Sequence, residues 1–298
     1  IALYRSRFTA VTFGATNYMD AYNYALNVAT FVFAFITTGV TTVIIPAYVN
    51  KTDKKAVNSF ITIIYSITLI VVWAVIIFRK PLLEVLTNRG QNFIDIVGDF
   101  LIVAFIIQGL LAFQAVTAGF YQCNDHYNVP KFITLMANLI VAIVLITGAI
   151  KNIYAYLALL VFGSILNFTV DVLAAVKYGF RYTPAFDLKN NELKKMLIVF
   201  LPTLFSSGVY KIHTMVDTTI AANLLEGQIT ILSYSTQIIT MVNNVIVGNL
   251  TVYAYPKIVS RLHEKGSKQN FWDYSILFHA VIVYLYVDSL MLATKVWG

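Results

Sequence analysis

Apolar residues along this chain come in long unbroken stretches, not in the alternation of strands or the single stripe of a surface helix. Runs without a charged residue occupy 21–50, 56–78, 100–124, 132–150, 152–170 and 227–256. Each reaches or approaches the roughly 20 residues a helix needs to cross ~30 Å of hydrocarbon. Segments 196–223 and 271–294 are further spans with embedded ionisable groups, and 3–18 adds a short first one. The pattern predicts nine helices and an all-α polytopic membrane protein.

Composition supports this. The chain is 59% hydrophobic and 12% charged, whereas an ordinary soluble domain is about a quarter charged. The net charge of +7 raises the question of a polyanion partner. Assigning the loops alternately to two sides puts thirteen basic residues on one side, in the 50–55, 123–131, 177–195 and 257–270 loops. Five (Arg79, Lys80, Arg89, Lys151 and Lys295) fall on the other. That asymmetry makes the richer side cytoplasmic. The basic balance is topology, and nucleic acid is not an expected partner.

Other chemistry is limited. Cys123 is the only cysteine, so no disulfide framework or thiolate metal site is expected. The chain contains no HExxH, GxSxG, P-loop or GxGxxG pattern, so nucleotide hydrolysis and metalloprotease chemistry lack their parts. The chain opens on Ile1 within a helical pattern, and a missing N-terminus is expected.

An internal repeat emerges when Pro46 is set on Pro256, an offset of 210 residues. The offset superposes 20–49 on 230–259, with Tyr24 on Tyr234, Thr41 on Thr251 and Arg7 on Asp217. The first helix then matches the seventh. The expected organisation is a six-helix lobe over 1–178, a cytoplasmic linker over 179–195, and the first half of a second lobe over 196–298. An even number of helices per lobe gives parallel repeats about an axis along the membrane normal, with a cavity between them.

Two blocks of residues resemble a known family. "YRSRFTAVTFGATNYMDAYNYALNVATFVFAFITTGVTTVIIPAYV" carries Arg5, Phe13, Gly14, Ala15, Asp20, Ala21, Gly39 and Pro46. "FLPTLFSSGVYKIHTMVDTTIAANLLEGQITILSYSTQIITMVNNVIVGNLTVYAYPKIVSRL" carries Pro202, Thr214, Asp217, Leu225, Gly227, Ile229, Leu232, Tyr234 and Pro256. Both resemble the MurJ/MviN lipid II flippases of the MOP exporter superfamily. The resemblance implies a MOP/MATE-like two-lobe bundle in the bacterial cytoplasmic membrane. It also implies a polyprenyl-diphosphate-linked glycan as substrate. The departures are His213 for the family's Asn, Thr218 for the Arg after the acid, and Gln237 for the eighth-helix Arg.

The candidate site residues each carry two readings. Arg5, Thr9, Thr12 and Thr16 share one helical stripe. Arg5 either grips a diphosphate bidentately or anchors the helix at the headgroups. Arg7, Lys211 and Gln237 complete the expected substrate-binding set. Asp20 is either the N-cap of the second helix or a gating contact with a cation of the other lobe. His213 and Asp217, four apart, share one face of the seventh helix, and Lys211, Thr214 and Thr218 share another. Intramembrane ionisable groups line a pathway or pair with one another. Asp217 is accordingly either a Na⁺ or H⁺ coupling site, with no other cofactor expected, or a structural partner of Lys211 or His213. Asp99, Gln108, Gln114, Asn167 and Asp171 are expected mainly as helix-packing contacts.

A monomeric flippase for lipid II is the leading functional expectation. A capsule- or teichoic-type carrier of the same kind, a drug/cation antiporter of the same fold, and a membrane-embedded glycan transferase are the alternatives. Arg5, Arg7 and Lys211 against Asp217 favour an anionic ligand.

Overall fold

The computed structural model describes residues 2–50 and 52–243. Its elements in chain order are α1 (Ala2–Phe13), α2 (Asn17–Val49), α3 (Lys54–Leu86), α4 (Gln91–Cys123), α5 (Asn128–Ile146), α6 (Ile153–Lys177), α7 (Asn191–Ala222) and α8 (Gln228–Asn243). No strand occurs among the described residues. Helices α2 to α6 are each long and apolar enough to cross a membrane. The ninth expected span, 271–294, lies outside the described residues.

Several helices outrun the charge-free stretches that predicted them. α3 continues to Leu86 and α4 starts at Gln91, so Arg79, Lys80, Glu84, Asp95 and Asp99 are helical. Helices of 33 residues are about 50 Å long, well beyond the hydrocarbon, and their charged ends reach the headgroup layer. Lys80 and Asp95 pair there at 2.9 Å. α3 kinks at Phe78 (φ −101°, ψ 15°), three residues before Pro81. The ring of Pro81 excludes a regular helical hydrogen bond in that turn.

Helix starts are set by short polar caps. Asp53 Oδ1 accepts from Lys55 N, Asn152 Oδ1 from Ala155 N, and Asn190 Oδ1 from Glu192 N. α1 ends at Phe13, where Gly14 takes φ +62° and turns the chain into α2.

The chain divides into two compact units, Ile1–Leu232 and Ser233–Gly298. In the first, α4 is central, packed on α2, α3 and α6, while α2 also lies along α7. Small residues bring α2 and α4 together: a Cβ on Gly119 would sit 2.7 Å from Ile44 Cγ2. Lipid offers apolar side chains no reason to prefer protein, so close van der Waals packing of this kind holds the helices. Edge-on aromatic pairs, Phe33 on Phe105 and Tyr48 on Phe120, continue the same interface.

Polar residues on the packed faces find one another. Gln108 Nε2 donates to Thr30 Oγ1, Asn167 Nδ2 to Gln114 Oε1, and Thr117 Oγ1 to Asp171 Oδ2 at 2.6 Å. Gln108, Gln114, Asn167 and Asp171 thus make helix-packing contacts, as expected from their spacing. Asp99 is exposed.

Candidate functional site

The most concentrated polar chemistry in the first unit surrounds Asp20. Its side chain is fully buried, and both carboxylate oxygens are saturated with donors. Oδ2 accepts from Gly227 N (2.7 Å) and Arg89 Nη1 (3.0 Å). Oδ1 accepts from Thr230 N (2.9 Å) and Thr230 Oγ1 (2.8 Å). Gly227 and Thr230 flank the start of α8, where backbone N–H groups lack helical partners and the helix dipole favours negative charge. Asp20 therefore caps α8 from a different helix.

The N-cap reading of Asp20 is corrected, and the cation expected from the other lobe comes from elsewhere. The N-cap of α2 is Thr16, whose Oγ1 accepts from Met19 N at 3.5 Å. The cation beside Asp20 is Arg89, from the α3–α4 connection, inside the segment expected to form the first lobe. The second half of the chain supplies a helix N-terminus and a hydroxyl. Arg89 is held from its other side by Phe93, with the guanidinium 4.4 Å from the ring centroid, a favourable cation–π arrangement.

Further contacts extend this node into a seam along α2. Asn17 N donates to Glu226 Oε1 at 2.6 Å, Asn23 Nδ2 to Thr230 Oγ1 at 3.4 Å, and Asn27 Nδ2 to Thr218 Oγ1 at 3.1 Å. Gly227 takes φ +89°, and a Cβ there would stand 2.8 Å from Ala15 O. The turn between α7 and α8 thus presses directly on the turn between α1 and α2. The charge asymmetry of the loops led to the expectation that this edge faces outward.

The remaining candidates are more dispersed. Arg5 is half-buried and Arg7 exposed on α1. The expected stripe is broken, because Thr9 is buried and bonded to Ser6 O, and Thr16 lies beyond α1 in the cap of α2. On α7, His213 Nδ1 and Asp217 Oδ2 are 3.2 Å apart with both side chains accessible. Thr218, on the other polar face, is buried against α2. Lys211 is half-buried. Gln237 belongs to the unit that begins at Ser233. Among the described residues, no group of three or more His, Cys, Asp or Glu side chains is arranged to hold a metal.

Sequence reasoning missed Arg89, Asn23, Asn27, Glu226 and Thr230. One signal was present for Thr230: the 210-residue offset lays Asp20 on it. Arg89 had none, since an arginine in a short loop looks like any other.

A family model described as "Lipid II flippase MurJ" matches residues 9–292. The chain belongs to the MurJ family. A relative named "Probable lipid II flippase MurJ" from Borreliella burgdorferi is 27% identical over 233 residues, covering 74% of this chain and 45% of that protein. One of the same name from Rickettsia prowazekii is 26% identical over 250 residues, covering 79% and 49%. The chain spans about half the length of the curated relatives it matches. A solved structure, "Lipid II flippase MurJ, inward closed conformation", superposes with TM-score 0.65 at 18% identity, covering 80% of this chain and 52% of that one. The MurJ fold and five apolar helices make this a multi-pass membrane protein.

Proposed function

We propose that this MurJ-family chain flips a polyprenyl-diphosphate-linked cell-wall precursor, lipid II, across the bacterial cytoplasmic membrane by alternating access. It makes and breaks no covalent bonds in doing so. The observation that carries this reading is the buried Asp20 node. It ties the start of α2 to the start of α8 with hydrogen bonds that water could replace. A purely structural joint would be served as well by apolar packing. A saturated carboxylate at a helix N-terminus closes the outer edge and exchanges its α8 donors for water when the edge opens. Arg89 stays with Asp20 through that exchange, because both belong to the α2–α4 part of the bundle.

Arg5, Arg7 and Lys211 supply the cations that would receive a diphosphate, while the polyprenyl tail remains in lipid. The lobes over 1–178 and 196–298 are the bodies expected to rock. The His213–Asp217 pair is the ion-coupling element. A hard cation such as Na⁺ prefers several oxygen ligands, whereas Asp217 Oδ2 faces an imidazole. That favours H⁺ as the coupling ion.

The test uses protein reconstituted in proteoliposomes, with Cys123→Ser as background. Asn17→Cys and Glu226→Cys are bridged across the outer seam by a short reducible bifunctional reagent. Bridging should stop the flipping of fluorescent lipid II, and reduction should restore it. Undiminished flipping by the bridged protein would remove the seam from the transport cycle.

A further inference from the structure

The segment joining α6 to α7 forms no helix between Phe180 and Asp187, yet it is tied closely to α3. Tyr182 OH meets Thr62 Oγ1 at 2.9 Å, and Ala185 N donates to that same hydroxyl. Asn58 Nδ2 donates to Thr183 Oγ1 at 2.7 Å, and Asp187 N to Ser59 Oγ at 3.1 Å. Lys55 Nζ pairs with Asp187 Oδ2 at 2.9 Å, and Asn190 Nδ2 donates to Asp53 Oδ2 at 2.9 Å. From Ala185 through Asp187 to Asn190 the partners move from Thr62 through Ser59 and Lys55 to Asp53, the N-cap of α3. It is a strap laid antiparallel along the first turns of α3.

The strap has a second side. Leu188 and Lys189 form a turn closed by Asn190 N donating to Asp187 O at 3.2 Å. While Asp187 pairs with Lys55 of α3, its neighbours Phe186 and Leu188 are 67% and 53% exposed. Lys177, Arg181, Lys189 and Lys194, near them in sequence, are exposed. The two acids of the region are already occupied, Asp187 by Lys55 and Glu192 by Lys195.

The depth follows from α3. Its 33 residues span about 50 Å, some 20 Å more than the hydrocarbon, so roughly six residues at each end lie in the headgroup layer. Phe186 and Leu188 run beside Lys55 to Ser59, at that level. Exposed apolar side chains in a segment rich in bases, on the side expected to be cytoplasmic, match the chemistry of an anionic bilayer surface.

We propose that the strap is a binding surface for anionic phospholipid. Phe186 and Leu188 enter the glycerol–acyl boundary, and Arg181, Lys189 and Lys194 take the lipid phosphates. The strap thereby fixes the cytoplasmic starts of α3 and α7 to the membrane surface.

The experiment places an environment-sensitive fluorophore on Phe186→Cys in the Cys123→Ser protein. The protein is reconstituted in phosphatidylglycerol-containing or pure phosphatidylcholine vesicles, with lipids brominated near the carbonyl as quenchers. The expected result is blue-shifted emission and quenching about twofold or more stronger in the anionic vesicles. Arg181→Gln, Lys189→Gln and Lys194→Gln together should abolish the difference. Gel filtration before reconstitution confirms that each variant is folded. Water-like emission in both vesicles overturns the proposal, as does blue-shifted emission untouched by brominated lipid. Equal quenching in the two vesicles overturns the anionic assignment.

Discussion

Asp20 and Thr230 stand 210 residues apart and meet through two hydrogen bonds, Thr230 N and Oγ1 both donating to Asp20 Oδ1. The same 210-residue offset relates Pro46 to Pro256. Asp20 and Thr230 differ in chemistry: one accepts and the other donates.

Removing one partner of a buried charge pair leaves the other uncompensated. Asp20→Asn is expected to destabilise the protein by about 2–4 kcal/mol, because its amide cannot accept from four donors and leaves Arg89 unpaired. Arg89→Gln should cost less, since Asp20 keeps the three donors of Gly227 and Thr230. The double variant should fall short of the sum by about 1 kcal/mol or more. Reversible unfolding in mixed micelles measures all three. Strict additivity would mean that Arg89 and Asp20 do not act as a pair.

Gly227 carries two separable constraints, its left-handed backbone and its approach to Ala15 O. Gly179 has the first alone, at φ +98° with nothing within 4 Å of an added Cβ. Gly179→Ala should cost about 1 kcal/mol. Gly227→Ala should cost about twice as much, and it should loosen the Asp20 node, seen as faster hydrogen exchange at Thr230 N. Equal destabilisation would show that the two turns yield to the extra methyl.

The strap gives a pH dependence with a defined sign. The hydrogen bond from Lys55 Nζ holds the Asp187 carboxyl below the ordinary carboxylate range, and the backbone N–H of Lys55 does the same for Asp53. A depressed folded-state value contributes stability above the unfolded value of about 4 and loses it as pH falls through the folded one. A spin label on Leu188→Cys, in the Cys123→Ser background, should show unchanged mobility from pH 7 to about 5 and a reversible gain below about 4. Lys55→Ala should reproduce that gain at pH 7. A spectrum constant down to pH 3 contradicts the assignment.

His213 and Asp217 are both accessible, so their pair contributes well under about 1 kcal/mol to stability. Asp217→Asn should leave thermal unfolding unmoved. It should also leave lipid II binding largely intact and abolish the response of flipping to a proton gradient in proteoliposomes. If Asp217→Asn flips at the unmodified rate and still follows the gradient, the acid is a local partner of His213 and nothing more.

The hydrophobic pattern alone determined the class of protein, the order of the described helices and an expected orientation, because the bilayer acts on each segment separately. Burial of an apolar run and retention of lysines on one side need no knowledge of what packs against what. Helix ends were less legible: charges in the headgroup layer do not stop a helix, so α3 and α4 run past their apolar runs. Asp171 and Gln108 were identified as packing residues because a lone polar group within an apolar helix must find a partner. The opposite held for Asp20. Its neighbours in sequence suggested a cap for its own helix, but Thr16 was nearer the helix start and took that role. Which distant donors then saturated the carboxylate depended on how α2, α4, α7 and α8 pack. The saturating set combines an arginine from a four-residue connection with backbone N–H groups that leave no mark in the sequence. Only tertiary structure could assemble it, because backbone donors exist at nearly every residue and become specific only where a helix begins beside a buried acid.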